Sequence, residues 1–158
     1  MKRLMTGIAL AVSLSVLAGK EEMKWSAGTK EAPGNKEITV QAKVKPCGEG
    51  ISKFTVTFKN DASGSGYVQF PLRASEDFPA FEFEAQADMD AVAEIWLSDG
   101  KTWQLQDKIK FREGRRQLFT LAVKNIDSDK CKYLRLLFPR QDNPATVEVL
   151  LMQPDFVR

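Results

Sequence analysis

Val92-Ala93-Glu94-Ile95-Trp96-Leu97-Ser98-Asp99-Gly100-Lys101-Thr102-Trp103-Gln104-Leu105-Gln106 decides the fold class. Large apolar and polar side chains alternate on both sides of an Asp-Gly turn, which is the period of an extended chain with one wet face. Antiparallel partners share a face, so the apolar sides of the two arms must agree. A two-residue loop would oppose Ile95 to Gln104 and mix core with solvent. A three-residue loop, Ser98-Asp99-Gly100 with Gly100 left-handed, pairs Ile95 with Trp103 and Ala93 with Leu105. This register puts Trp103 in the core and Trp96 on the opposite face, beside Glu94, Thr102, Gln104 and Gln106.

The same period recurs on either side. Ile38, Val40, Ala42 and Val44 alternate with polar residues, as do Phe54, Val56 and Phe58 after the turn at 46–50. Further runs span 67–72, 81–87, 117–123, 133–138 and 146–152. No stretch after the first eighteen residues carries a convincing amphipathic helix of 10 or more residues. The expected architecture is all-β, an antiparallel β-sandwich or jelly roll of about eight to nine strands.

At the N-terminus, Lys2 and Arg3 precede an apolar run from Leu4 to Leu17, closed by Ala18. The run is shorter than the about 20 residues of a spanning helix and has the form of an export signal. The expected product is exported, periplasmic or secreted, without a transmembrane segment. Leu17-Ala18-Gly19 also opens a lipoprotein signal, but Lys20 stands where the lipidated cysteine belongs, which argues against a lipid anchor. Removing residues 1–18 leaves 140 of the 158, enough for one domain. The expected divisions are signal peptide 1–18, N-terminal arm or linker 19–36, β-sandwich 37–154 and C-terminal tail 155–158.

Of 23 basic and 21 acidic residues, Lys2 and Arg3 depart with the signal and the remainder balances. A chain without net positive charge has no general attraction for nucleic acid. The local basic run Lys108, Lys110, Arg112, Arg115, Arg116 reads as a solvated strand face and turn, with a docking site for a polyanionic sugar as the alternative. Cys47 and Cys131 are the two cysteines. In an oxidising compartment they can form a disulfide, contributing about 4 to 5 kcal/mol in the loop-entropy model, or remain two buried thiols.

From Phe81 to Gln153 the order of segments resembles the galactose-binding-like β-sandwiches that serve as carbohydrate-binding modules in secreted polysaccharide-degrading systems. The segments are Phe81-Glu82-Phe83-Glu84, the hairpin Ile95 to Trp103, the turn Glu113-Gly114 before Leu118-Phe119-Thr120-Leu121, Tyr133 to Pro139, and Pro144 to Val149. The resemblance covers roughly half of the chain beyond the signal, and it implies a poly- or oligosaccharide partner. Members of that group commonly hold a structural calcium and end in a strand with paired acidic residues. Here Val147-Glu148-Val149-Leu150-Leu151-Met152 lacks the pair, so no cofactor is expected and a structural calcium is the alternative; Asp127 and Asp129, the one tight acidic spacing nearby, read as loop solvation or, in that alternative, as its oxygen ligands.

Trp96 is the candidate platform, because an indole face stacks on the C–H face of a pyranose while amides and carboxylates bond its hydroxyls. Glu94, Gln104 and Gln106 are the candidate polar partners, with Glu84 joining them if its strand is adjacent. Tyr67 and Trp25 are secondary platforms, while Tyr133 with Arg135 reads as solvated strand surface. Without histidine, triads and histidine-centred acid–base chemistry are excluded. A carboxylate pair such as Glu84 with Glu94 is the remaining route to glycoside hydrolysis. The expected role is carbohydrate binding without catalysis; the alternatives are a protein-interaction or scaffold module in a bacterial envelope complex and a glycan-cleaving enzyme.

Overall fold

The alternating runs form two antiparallel sheets in the computed structural model, which describes residues 23–30, 40–59, 64–72, 78–140 and 143–157. The export-signal segment and Lys20 lie outside the described residues. The strands are β1 Ser26–Lys30, β2 Val40–Gly48, β3 Ile51–Phe58, β4 Ser65–Pro71, β5 Ala80–Ala87 and β6 Ala91–Ser98. They continue with β7 Trp103–Phe111, β8 Arg116–Ala122, β9 Tyr133–Phe138, β10 Ala145–Met152 and β11 Asp155–Val157. One sheet runs β1-β4-β9-β6-β7; the other runs β11-β5-β10-β3-β2, with β8 paired to the far side of β5. The expected all-β sandwich is therefore the observed fold, with eleven strands among the described residues rather than eight or nine.

Inward residues of both sheets make one core. Phe54, Val56 and Phe58 from β3 meet Phe81 and Phe83 from β5, Ile95 and Leu97 from β6, Phe111 from β7, and Leu134, Leu136 and Phe138 from β9. The Phe138 ring centroid is 5.3 Å from Phe54 and 5.8 Å from Phe111, joining the sheets through aromatic contact. Burying each such ring stabilises the fold by about 1.5–3 kcal/mol.

The two extra strands are corrections to the sequence reading. Residues 26–30, expected in a loose arm, pair with β4. Trp25 just before them is 5% exposed, packs 5.1 Å from Phe70, and donates its indole N–H to the Met152 carbonyl at 3.3 Å. A buried indole with its donor satisfied anchors the segment and withdraws Trp25 as a ligand platform. Residues 155–157, expected in a tail, pair with β5 as β11. Phe156 in that strand packs against Phe78, 4.4 Å between centroids with the rings tilted by 39°.

The Cys47–Cys131 bridge is not formed, and both thiols are free. Cys47 is exposed near the end of β2, whereas Cys131 is buried behind the 3-10 turn Ser128–Lys130. Burial raises the Cys131 thiol to about 11, with Asp129, Asp99 and Asp127 adding to the shift. Such a thiol is a poor nucleophile at neutral pH.

Candidate functional site

The outer face of the five-stranded sheet carries the aromatic side chains that the core does not take. On β9, Leu134, Leu136 and Phe138 point inward, so Tyr133, Arg135 and Leu137 point outward. Pairing sets their neighbours: Gln69, Arg135, Trp96 and Leu105 form one row across β4, β9, β6 and β7. Tyr67, Leu137, Glu94 and Lys108 form the next, and Pro71, Tyr133, Ser98 and Trp103 a third.

Trp103 lies on this face, contrary to the register expected from the hairpin. Ser98 opposes Trp103, leaving a four-residue connection, Asp99 to Thr102. Asp99 closes it by accepting the Lys101 and Thr102 backbone N–H groups at 2.8 Å each, which also hold its carboxyl below the usual aspartate range. The Ser98 hydroxyl accepts the Gly100 N–H at 2.9 Å. A bulge then intervenes: Trp96 opposes Leu105, Ile95 opposes Asp107, and Gln106 is the extra residue. One extra residue inverts the phase of a strand, so Trp103 and Leu105 face outward while Ile109 and Phe111 face the core.

The bulge removes two of the expected polar partners from the neighbourhood of Trp96. Gln106 is 6% exposed and clamps the main chain of Lys124, whose N–H donates to Oε1 at 2.6 Å and whose carbonyl accepts from Nε2 at 2.9 Å. Gln104 shares the phase of Leu97 and lines a separate depression with Asp99, Asn125 and Asp127. Glu84 is also elsewhere: β5 belongs to the other sheet, where Glu84 pairs with Arg116 on the outer side. Glu94 does stay with Trp96, accepting its indole N–H at 3.2 Å and pairing with Lys108 at 2.9 Å.

Three residues given lesser roles from sequence occupy the centre. The Arg135 guanidinium carbon lies 3.9 Å from the centroid of the Tyr67 ring and 3.8 Å from that of Trp103, a cation held between two aromatic faces. Its Nε and Nη2 donate to Gln69 Oε1 at 3.2 and 2.7 Å. Burial lowers the Arg135 pKa from its ordinary value, and interaction with Tyr67 offsets this in part. Tyr67 lies across β1 above Gly28, where a Cβ would stand 2.4 Å from the Tyr67 hydroxyl. Tyr67, Trp96, Trp103, Arg135 and Leu137, with Thr29 and Lys30 of β1, line a cleft of about 310 Å³. The outward phase of Tyr133 and Arg135 was the available sequence signal; their aromatic neighbours arrive from strands distant in the chain.

At the other candidate positions, Asp127 pairs with Lys130 at 2.5 Å. Among the described residues no group of three or more His, Cys, Asp or Glu side chains gathers as a metal site.

No family model matches the chain, and no curated protein matches it in sequence. Its fold is similar to part of an exo-β-agarase, with TM-score 0.51 and 10% identity over 80% of this chain and 25% of that one. The chain thus spans about a quarter of the agarase. It is similar also to the K2 cleaved adhesin domain of Lys-gingipain, with TM-score 0.50 and 8% identity over 84% and 90% of the two chains. A variant of a family 29 carbohydrate-binding module complexed with mannohexaose aligns at TM-score 0.46 and 12% identity, over 84% and 89%. At these identities the likeness is one of fold alone, the antiparallel β-sandwich that the strand pattern implied.

Proposed function

We propose that the protein is an exported carbohydrate-binding β-sandwich that holds a poly- or oligosaccharide without cleaving it. The observation that carries this reading is the cleft on the outer face of β4, β9, β6 and β7, with Trp96, Trp103 and Tyr67 around Arg135. Rigid aromatic faces stack on sugar C–H surfaces, and donors fixed between them orient hydroxyl or anionic groups. Trp96 acts as the platform, with its N–H already taken by Glu94 and its ring left for the ligand. The non-catalytic reading is supported by the separation of Glu84 and Glu94 on outer faces of different sheets, which leaves that carboxylate pair unable to flank one glycosidic bond.

Retention on immobilised or insoluble polysaccharides, compared between wild type, Trp96→Ala and Trp103→Ala, tests the reading. Both variants lose retention while keeping the wild-type melting profile. Folded wild type that retains no member of a broad glycan panel sinks it, and release of reducing ends would replace it with an enzyme. The envelope-scaffold alternative draws on Leu105, 40% exposed opposite Trp96, and Val92, 37% exposed opposite Lys110, and predicts a stoichiometric protein partner on co-purification.

A further inference from the structure

Charge in the cleft is one-sided. Among the described residues, Lys30 and Arg135 are its ionisable cations and none that lines it is acidic. Glu94, the carboxylate next to Trp96, is already committed to Lys108 and the indole N–H. Among the described residues Arg135 has no carboxylate partner; its hydrogen bonds go to one neutral amide oxygen, on Gln69.

A half-buried guanidinium normally meets an anion, because desolvation of the charge is otherwise uncompensated. Here the two rings occupy its flat faces and Gln69 takes the Nε–Nη2 side. Among the described residues none bonds Nη1 or the second hydrogen of Nη2, the forked edge that matches two oxygens of a carboxylate or sulfate. Lys30, exposed at the end of β1, adds a second positive charge at the rim.

We infer that the cleft selects an anionic glycan, a uronate or a sulfated sugar, with the acid group on the free edge of Arg135, the pyranose on Trp96 and Lys30 at the rim. The inference rests on the carbohydrate-binding reading above and narrows its substrate class. Arg135 is the residue that reads the charge, and Tyr67 and Trp103 fix its plane.

Matched glycan pairs test it by calorimetry or affinity electrophoresis at physiological salt. Polygalacturonate is compared with its methyl ester, and a sulfated galactan with its desulfated form. Wild type binds at least one anionic member about tenfold or more tightly than its neutral counterpart, the scale of one charge-assisted bidentate contact. The pair that shows the preference distinguishes a carboxylate from a sulfate ligand. Arg135→Gln brings the anionic glycan down to the neutral level. Lys30→Gln, an exposed change outside the aromatic stack, reduces the preference roughly threefold, as expected for a rim charge, and keeps the test valid if Arg135→Gln unfolds.

Equal affinity for both members of each pair overturns the inference and leaves carbohydrate binding standing. Absence of binding to every glycan removes both. An anionic preference unchanged in Arg135→Gln and Lys30→Gln but lost on neutralising Lys43 and Lys45 would assign it to the β2 edge and overturn the inference as well.

Discussion

Replacing Gln106 by Leu separates a structural clamp from a ligand contact. The substitution keeps comparable volume at a site 6% exposed but deletes three hydrogen bonds, two to the Lys124 main chain and one to the Gln104 carbonyl at 3.2 Å. Each contributes about 0.5–1.5 kcal/mol net, and Lys124 lies at the surface, where water restores part of what is lost. The expected loss is about 2–3 kcal/mol, which for a domain of this size lowers the melting temperature by about 6–12 °C. Thermal and urea unfolding give the number. Retention on the binding polysaccharide, measured well below the transition, stays at the wild-type level because Gln106 points away from the cleft. A variant that melts within about 2 °C of wild type, too little for a lost clamp, yet no longer binds would refute the bulge and return Gln106 to the face of Trp96.

Gly28→Ala forces the Tyr67 ring off β1, since the new Cβ would stand 2.5 Å from Cζ, and opens one side of the Arg135 stack. Loss of one cation–π face weakens glycan binding roughly 3- to 30-fold with little change in stability; unchanged affinity would show that Tyr67 does not hold Arg135 for the ligand. Trp25→Ala costs about 3–5 kcal/mol in urea unfolding, as for other buried aromatic deletions, and a cost below 1 kcal/mol, far under that range, would return this segment to a loose arm. In the folded protein a thiol reagent labels Cys47 at neutral pH and reaches Cys131 only after denaturation; intact mass 2 Da below the reduced value, the two hydrogens of a bridge, would instead establish the disulfide. Because the Cys131 proton is held more tightly in the folded state, with its thiol at about 11 against 9.0 for an ordinary one, stability is intact below pH 9 and falls as pH rises from 9 to 11. Cys131→Ala removes that component of the alkaline loss.

Alternation was legible wherever a strand ran without interruption. Phe54, Val56 and Phe58 are buried as their spacing required, and Trp96 is outward because Ile95 and Leu97 cannot be. The failures share one cause. Trp25 and Phe156 sit in short segments with too few residues to display a period, and each becomes a core or strand residue only through distant partners. Trp103 was misplaced because its alternation with Leu105 continues to Ile109 and Phe111 in sequence, while Gln106 is bulged out to reach Lys124, 18 positions away.

The sequence by itself determined that this chain is an all-β sandwich with an aromatic side chain on a polar strand face, since the period of two follows from the geometry of each extended segment alone. Tertiary structure decided where the site is. The Arg135 stack needs β4, β9, β6 and β7 side by side, an order that chain sequence does not follow, and a bulge that turns Trp103 outward. Strand order and bulges are settled by contacts between residues far apart in the chain, and no local pattern encodes them.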